Sequence, residues 1–325
     1  MKNKTKKHLQ NKKGDKVIQK MNCSPAATMK KRVKQYSCFT PDILIKILKK
    51  YNEKHPENQI KEKTPKKIWL ELKNRLDCKK EECWLNLIED ENMREKIKKY
   101  IFAPKHPTEW ISNPYEWLSN YDILEVAKQY ETSYPEFKMI GPTTIDFDTK
   151  LEEYDGKCVL EDLCNFSLDR FIRAKKTKIG IVFNLDKHYQ SGSHWVSMFI
   201  DITNRFIFFF DSANNEIPPE IWKDEKHIKN GEPVPLVNRI IQQGSQLDKP
   251  IHFKFYNNRN ITHQRGNTEC GMYSLYFIIT MLTGKTKSNR RILTVKKRID
   301  LFLKKRIPDN FVFEHRKIYF NGDAI

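Results

Sequence analysis

The chain has 325 residues, enough to bury a full hydrophobic core and to form one large domain with a smaller one beside it. Its 19 Phe, 13 Tyr and 6 Trp exclude a disordered polyelectrolyte, although the formal net charge is +19. The first residues lack the apolar stretch of a signal peptide, and no apolar run is long enough to cross a bilayer. Composition therefore predicts a basic, globular protein without a membrane span.

Residues 1–35 are the most basic part of the chain, with 12 Lys or Arg and a single acid, Asp15. Such a run is typical of an unstructured terminus, and equally of an arm that binds nucleic acid or another polyanion by counterion release. We predict a flexible basic tail over residues 1–35, and composition leaves both of its roles open.

The seven cysteines are an odd number in a chain without a secretory signal, so we expect reduced thiols. Cys78 and Cys83 raise the question of a metal site, but no second pair with zinc-ribbon spacing follows. We therefore predict structural cysteines and no metal.

Residues 36–105 have the pattern of a small helical module. Thr40–Pro41 and Thr64–Pro65 each place an N-cap residue before a proline at the first helical position, and apolar residues then recur at helical spacing. The stretch "EECWLNLIEDENMREKIKKYIF" predicts a third helix. The Pro-rich stretch "APKHPTEWISNP" (103–114) marks the boundary, and a second domain occupies residues 106–325.

The second domain combines helices with β-strands, which predicts an α+β fold. An amphipathic helix begins near "YEWLSNYDI", and a buried helix (270–282) and a basic amphipathic helix that stops near Pro308 lie at the other end. Between them, β-branched and aromatic runs predict strands at 178–185, 194–202, 205–212 and 251–258. The run 205–210 contains one polar residue, Arg205, so we expect this strand to be buried on both faces.

Polar residues with catalytic chemistry lie at the ends of these predicted elements. His194 begins one strand, and Asp211 ends the next after a tight Thr-Asn turn. If the two strands pair as a hairpin, Asp211 lies beside His194 and orients its ring. Each residue alone also has an ordinary structural explanation, as a strand-end histidine or a turn-forming aspartate.

Cys270 opens the buried helix, where the helix dipole and a nearby imidazolium favour a thiolate. Gln264, six residues earlier, is placed to donate to an oxyanion together with the Cys270 backbone N–H. A buried structural cysteine and an exposed loop amide are the ordinary alternatives. The joint arrangement of four residues predicts cysteine hydrolysis, with His194 rather than His263 as the base.

The blocks "HWVSMFID", "FFFDS" and "QRGNTECGMY" resemble the His, Asp and Gln–Cys motifs of the Ulp1-like cysteine proteases. The separations of 17 residues from His194 to Asp211 and 6 from Gln264 to Cys270 match that family. The resemblance covers roughly residues 110–305, and the helical module before it resembles the arm of polyprotein-processing proteases from large DNA viruses. It implies a papain-like core, a central mixed sheet flanked by helices, with an N-terminal helical arm.

The resemblance also implies a substrate channel and a substrate class. "WLSNYDI" is similar to the family's Trp-Leu-Asn-Asp motif, with Ser119 and Asn120 in place of its Asn and Asp. We assign the channel to Trp117, Trp195, Asn120 and Gly271. The viral relatives cleave after Gly-Gly in structural polyproteins, which implies action in the virion and in the host cytoplasm during assembly.

Three alternatives remain open at this stage. One is an isopeptidase that acts on ubiquitin- or SUMO-conjugated host proteins, and another is an acetyltransferase effector with the same His–acid–Cys arrangement. The third is a catalytically dead scaffold that binds nucleic acid. We expect no required cofactor, stimulation by DNA or a peptide, and polyanion binding through the basic tail.

Overall fold

The computed structural model describes residues 17–29, 32–35, 37–229, 231–286 and 291–322. The strands and helices in these ranges form an α+β core preceded by a helical arm. The α-helices are α1 (Pro25–Met29), α2 (Pro41–Lys54), α3 (Pro65–Arg75), α4 (Glu91–Ile101), α5 (Asn120–Ser133), α6 (Glu161–Cys164), α7 (Leu168–Arg173), α8 (Leu236–Ser245), α9 (Cys270–Thr283), α10 (Val295–Lys304), α11 (Asp309–Phe313) and α12 (Arg316–Tyr319). Short 3₁₀ helices occupy Pro56–Asn58, Glu81–Leu87, Thr108–Ile111, Glu152–Tyr154 and Glu225–His227.

The strands form one mixed sheet and a small two-stranded ribbon. They are β1 (Phe137–Thr144), β2 (Lys150–Leu151), β3 (Lys157–Cys158), β4 (Lys178–Asn184), β5 (Trp195–Asp201), β6 (Phe206–Phe210) and β7 (Lys254–Asn257). The main sheet has the order β1-β4-β5-β6-β7, with parallel pairs at its two edges and antiparallel pairs between them. This confirms the predicted mixed sheet and the β5–β6 hairpin.

Two apolar clusters cover the faces of the main sheet. Helices α5, α9 and α10 pack on one face, and α7 and α8 pack on the other. Every residue of β6 is buried, which confirms the strand with two covered faces. All of α9 is buried as well, and this explains why its sequence is apolar all round rather than amphipathic. The helix that begins with Cys270 is therefore held rigidly against the sheet.

The arm has a hydrophobic cluster of its own, and it begins earlier in the chain than predicted. Met21, Ala27 and Val33 are buried in this cluster, and residue 19 pairs with Lys80 as an isolated β-bridge. The prediction of a flexible tail over residues 1–35 is therefore wrong for the described residues from 17 on, because scattered apolar side chains anchor this basic stretch. Residues 1–16 of the predicted tail lie outside the described residues.

Three other elements differ from the sequence prediction. The single helix predicted from Glu81 is divided, because Asp90 caps a new helix by accepting a hydrogen bond from the Met93 N–H (3.0 Å). Strand β1 was not predicted, since its Gly141–Pro142 step resembles a turn; the strand pairs on one side only, where a proline is tolerated. Helix α8 was missed because Pro235 occupies its N-cap position and Gly244 lies near its end.

The structure pairs six of the seven cysteines as disulfides, so the expectation of reduced thiols is wrong for these six. Two of the pairs form within the N-terminal part of the chain, and the third joins β3 to α6. The pairs are Cys23–Cys38, Cys78–Cys83 and Cys158–Cys164. Cys270 is the free cysteine, and it is buried.

Candidate active site

The β5–β6 hairpin brings His194 and Asp211 into contact. His194 Nε2 lies 2.6 Å from Asp211 Oδ1, at the end of the sheet where β5 begins and β6 ends. The Asp211 carboxylate also accepts the backbone N–H groups of Ala213 (2.9 Å) and Asn215 (2.8 Å). The carboxylate is thus held by the turn that follows the strand, and it leaves His194 Nδ1 as the ring nitrogen that faces other partners.

Asn258 is a residue of this site that the sequence prediction missed. Its side-chain Oδ1 accepts the Asp211 backbone N–H (3.0 Å), and its Nδ2 donates to the Asp211 carbonyl (2.7 Å) and to the Ile261 carbonyl (3.1 Å). The side chain therefore brackets the backbone of Asp211 from the neighbouring strand. An asparagine at the end of the strand predicted over 251–258 was the one sequence signal for this role.

Cys270 is the first residue of α9 and its side chain meets the His194 ring. The residue is 1% exposed, and its thiol lies close enough to the imidazole to raise the pKa of His194. Since Nε2 is bonded to Asp211, Nδ1 is the ring nitrogen that remains for the thiol. A sulfur at the N-terminus of a fourteen-residue helix also lies at the positive end of the helix dipole. The thiol, the ring and the carboxylate thus lie together at one end of the sheet.

The titration of His194 reflects these neighbours. Burial is the largest single influence and lowers its pKa, but the hydrogen bonds and charges of Asp211 and Cys270 outweigh it and raise the pKa to about 9. For Asp211, a carboxylic acid, burial acts in the opposite direction and raises the pKa. The contact with His194 and the backbone donors outweigh burial and hold the pKa of Asp211 below its usual range. The arrangement therefore favours an ionised carboxylate beside an imidazolium at neutral pH.

Gln264 lies on the loop that precedes α9, with its amide held in a defined orientation. The Ser212 hydroxyl donates to Gln264 Oε1 (2.8 Å), and Gln264 Nε2 donates to the Gly266 carbonyl (2.9 Å). The backbone of Gln264 also donates to the Ser212 carbonyl (2.8 Å). An amide nitrogen carries two hydrogens, so one remains for a further acceptor. The sequence prediction missed Ser212, whose position directly after Asp211 was its only signal.

Two of the residues predicted to form a channel, Trp195 and Gly271, meet at Leu118. Trp195 Nε1 donates to the Leu118 carbonyl (3.0 Å). A Cβ at Gly271 would lie 3.1 Å from Leu118 Cβ and 3.3 Å from Trp195 Cδ1, so these three residues are in contact and a side chain at 271 would crowd them. Trp117 precedes Leu118 and is 40% exposed, while Asn120 is the exposed first residue of α5.

His263 takes a structural role, which agrees with its rejection as the base. It is fully buried; its Nε2 donates to the Phe302 carbonyl (3.0 Å), and its Nδ1 accepts the Ile307 N–H (3.1 Å). Burial lowers the pKa of this histidine. Both ring nitrogens are occupied, one by the backbone of α10 and the other by the backbone just after it, so the ring has no nitrogen left for proton transfer.

Within the part of the chain that the structure describes, no group of three or more His, Cys, Asp or Glu side chains is arranged to hold a metal ion. Over the same residues, none of the helices combines the length and the apolar character that crossing a bilayer requires.

The chain is similar to known cysteine proteases. Residues 169–311 match the profile of the Ulp1 protease family, C-terminal catalytic domain. A protein of Acanthamoeba polyphaga mimivirus named as a thiol protease is 32% identical over 179 residues, which are 54% of this chain and 50% of the relative. A cysteine protease of African swine fever virus is 25% identical over 209 residues, 62% of this chain and 67% of the relative.

The crystal structure of the African swine fever virus protease has the same fold. It superposes with a TM-score of 0.56 at 19% sequence identity and covers 92% of this chain and 95% of that one. The match extends over the helical arm as well as the core. The aligned segment of the chain spans about half the length of the mimivirus relative.

Proposed function

Because the chain carries a catalytic domain of the Ulp1 family of cysteine proteases, we propose that it is a thiol endopeptidase acting through Cys270, His194 and Asp211. Gln264 and the Cys270 backbone N–H would form its oxyanion hole. The hydrogen bond between the Asp211 carboxylate and the His194 ring, with the buried Cys270 thiol beside that ring, is the observation that supports this proposal.

In the first half of the reaction the Cys270 thiolate attacks the carbonyl carbon of the scissile peptide bond. A C–S bond forms, and the carbonyl electron pair moves to the oxygen, which receives hydrogen bonds from Gln264 Nε2 and the Cys270 N–H. The C–N bond then breaks, and the His194 imidazolium gives its proton to the leaving amine. The product is an acyl-enzyme thioester with neutral His194.

In the second half, neutral His194 takes a proton from water as the water oxygen attacks the thioester carbon. The C–S bond breaks, the acid product leaves, and the thiolate–imidazolium pair is restored. Asp211 keeps the ring orientation constant through both halves and stabilises its protonated form, as the carboxylate does in other triads.

The test of this proposal is cleavage by the purified chain compared with Cys270→Ala. We expect the variant to lose cleavage and active-site labelling by a peptide vinyl sulfone while its circular dichroism stays that of the wild type. Undiminished cleavage by the folded variant would refute the assignment of the nucleophile.

We place the substrate among proteins cleaved after Gly-Gly, and among viral structural polyproteins in particular. Two observations support this choice. Leu118 and Trp195 lie so close to Gly271, beside Cys270, that even a Cβ there would be crowded, and this supports a narrow approach to the thiol that suits residues without side chains. The relatives with matching sequence come from large DNA viruses. Maturation of polyproteins would place the enzyme in the virion and in the cytoplasmic sites of assembly.

Peptides test the Gly-Gly preference directly. We expect a Gly-Gly-X peptide to be cleaved, and the matched Ala-Ala-X peptide to be cleaved far more slowly because its methyl groups meet Trp195. Products from purified virion precursors, mapped by mass spectrometry with wild-type enzyme and Cys270→Ser, would identify the natural sites. Equal cleavage of both peptides would exclude the glycine-specific channel.

An isopeptidase acting on host conjugates is the second candidate. Some African swine fever virus relatives are named SUMO-1 cysteine proteases, which favours it. Against it, Ser119 replaces a polar residue of the family's Trp-Leu-Asn-Asp motif and is engaged in capping α5. Efficient cleavage of a SUMO or ubiquitin conjugate, with no cleavage of a Gly-Gly polyprotein peptide, would establish the isopeptidase instead.

We further propose that polyanions such as DNA tether the enzyme and, like a peptide activator, raise its activity without being required. Residues 1–16 are strongly basic, and Lys296, Lys297 and Lys304 are exposed on α10. Binding by counterion release weakens steeply as salt rises. Association with DNA-cellulose that is absent, or that is insensitive to salt, would contradict the tether.

A further inference from the structure

Arg316 is a fully buried arginine at the start of α12, and the proposed mechanism leaves it without a role. Its Nη2 and Nε donate to the Glu269 carboxylate (2.9 and 3.3 Å). Its Nη1 donates to the carbonyls of Pro114 (2.6 Å) and Glu116 (3.1 Å). Arginine is rarely buried without such pairing, so each of these contacts is needed to hold its charge in the interior.

The two sets of partners belong to the two sides of the candidate active site. Glu269 directly precedes Cys270 and occupies the N-cap position of α9. Pro114 and Glu116 belong to the segment that leads to Trp117 and Leu118. The guanidinium therefore connects the helix that carries the thiol with the segment that carries the channel wall.

We infer that Arg316 is a positioning residue that sets the separation between the Cys270 thiol and the channel wall. The planar guanidinium has donors in a fixed fork, so a single side chain can bind the Glu269 carboxylate on one edge and two carbonyls on the other. This inference rests on the proposed function of the site, and Arg316 acts through its neighbours because its complete burial keeps it from touching substrate.

The surroundings of the guanidinium make this connection rigid. The group lies 4.2 Å from the centre of the Trp110 ring, and Trp110 Nε1 itself donates to the Glu116 carbonyl (2.9 Å). On the other side of the segment, Leu118 contacts Gly271, and the Leu118 carbonyl accepts a hydrogen bond from the indole Nε1–H of Trp195. The segment is thus held from both sides, and loss of Arg316 would release one of them.

A merely stabilising role is the alternative, and Arg239 provides the matched control. Arg239 Nη2 pairs with Asp148 (3.2 Å), and its nitrogens donate to the carbonyls of Leu163 (3.0 Å) and Cys164 (3.3 Å). It therefore has one carboxylate and two carbonyl partners, as Arg316 has, but none of them borders the candidate site. Arg239→Met should lower thermal stability and leave kcat/KM of the folded enzyme unchanged.

The first test is Arg316→Lys, which keeps the charge beside Glu269 but cannot reach both carbonyls. We expect a folded protein whose kcat/KM for a Gly-Gly peptide falls by about 10²-fold, since a displacement of about 1 Å in a reacting group costs that much. Wild-type kcat/KM in a folded Arg316→Lys, or a loss no larger than that of Arg239→Met, would overturn the inference.

The second test is the double variant Glu269→Gln/Arg316→Met, which removes both charges and so avoids leaving one of them buried and unpaired. If positioning is the role, kcat/KM stays low even where the melting temperature returns to the wild-type value. Full recovery of kcat/KM together with stability would show that Arg316 serves folding alone.

Alkylation of Cys270 by iodoacetamide separates failure of this inference from failure of the proposed function. Cys270 is the free thiol, so mass spectrometry follows its reaction without any substrate. We expect Arg316→Lys to change the pH profile of alkylation, whereas Arg239→Met keeps the wild-type profile. A wild-type chain that cleaves nothing refutes the protease, and identical alkylation profiles in all three proteins refute the positioning role.

Discussion

At the residue scale, the candidate site concentrates buried polar groups that would be costly if they lacked partners. Asp211 is 3% exposed, and Gln264 is 6% exposed. Each is satisfied by groups from other parts of the chain: Asn258 brackets Asp211, and Ser212 orients Gln264. A buried polar network that is fully bonded holds a defined geometry, which is what nucleophilic catalysis requires.

The titration of His194 leads to the first prediction. Its folded pKa of about 9 lies above the ordinary 6.5, so protonation of His194 stabilises the fold fully below pH 6.5 and progressively less as pH rises to about 9. Because the imidazolium is the proton donor of the first step in the proposed mechanism, kcat/KM should fall as the pH rises through about 9. Rates measured between about pH 6 and pH 10 test this.

Asp211→Asn provides the control for that profile. Without the carboxylate, the contact that raises the pKa of His194 is weakened, so the alkaline limb should move to lower pH. General acid–base catalysis contributes about 10²–10⁴-fold, and we expect kcat to fall within that range. An alkaline limb that stays in place in Asp211→Asn would assign it to another group.

Gln264 leads to the second prediction. Gln264→Ala removes the side-chain donor of the proposed oxyanion hole, so kcat should fall by about 10²–10³-fold with little change in KM. Gln243→Ala is the matched control, because the Gln243 amide accepts from the Leu168 N–H (2.7 Å) and donates to the Phe166 carbonyl (2.8 Å), away from the site. Equal kcat in the two variants would show that Gln264 is not a donor of the oxyanion hole.

At the element scale, the start of α5 connects helix stability with the channel. Ser119 is the N-cap: its hydroxyl accepts the Asp122 N–H (3.3 Å), and the Asp122 carboxylate accepts the Ser119 N–H (2.8 Å), which completes a capping box. The cap lies directly after Trp117 and Leu118. Serine at this position therefore stabilises the helix that follows the proposed channel wall.

The third prediction follows from this cap. Ser119→Ala should lower the free energy of unfolding by about 0.5–2 kcal/mol and raise KM, because the frayed first turn lets Leu118 move. Asp90→Ala removes a similar cap from α4 in the arm and should cost a comparable amount without changing KM. Denaturant unfolding and peptide kinetics on both variants test this. An equal KM in both would show that the Ser119 cap does not affect substrate binding.

At the scale of the whole molecule, the N-terminal segment, the arm and the C-terminus meet at one pair of asparagines. Asn321 Oδ1 accepts the Asn22 N–H (2.7 Å), and Asn321 Nδ2 donates to the carbonyls of Asn22 and Ala103 (both 2.9 Å). Asn22 Nδ2 in turn donates to the carbonyls of Lys317 and Phe320 (both 2.5 Å). Four of these five bonds join residues almost 300 positions apart, and the bond to Ala103 spans 218.

The fourth prediction is that Asn321→Ala loosens this junction. Three hydrogen bonds are lost, each with a net value of about 0.5–1.5 kcal/mol, so hydrogen exchange over residues 17–24 should accelerate. Asn52→Ala is the control, because the Asn52 side chain makes a similar pair of bonds inside the arm. Its Oδ1 accepts the Ile60 N–H (2.8 Å), and its Nδ2 donates to the Ile60 carbonyl (3.1 Å). Unchanged hydrogen exchange over residues 17–24 in Asn321→Ala would show that contacts other than the Asn321 hydrogen bonds hold this segment.

The fold could be predicted where a local pattern decides it. Thr-Pro at 40–41 and 64–65 marks two helix starts that the structure has, and the aromatic runs mark four of the five main strands. Strand β1 escaped prediction because its pairing with β4 outweighs a Gly-Pro step that locally indicates a turn. The ordered stretch from residue 17 escaped because its lysines obscure the few apolar side chains, such as Met21 and Ala27, that anchor it.

By itself, the sequence determined the order of the elements and the chemistry at their ends: a histidine and an aspartate on one hairpin, and a cysteine opening a buried helix. Periodicity and residue type are local properties, so they can be read before folding. The tertiary structure alone decided which atoms meet. Ser212, Asn258 and Arg316 acquire their roles from partners on other elements, and such long-range hydrogen bonds leave no local signature in the chain.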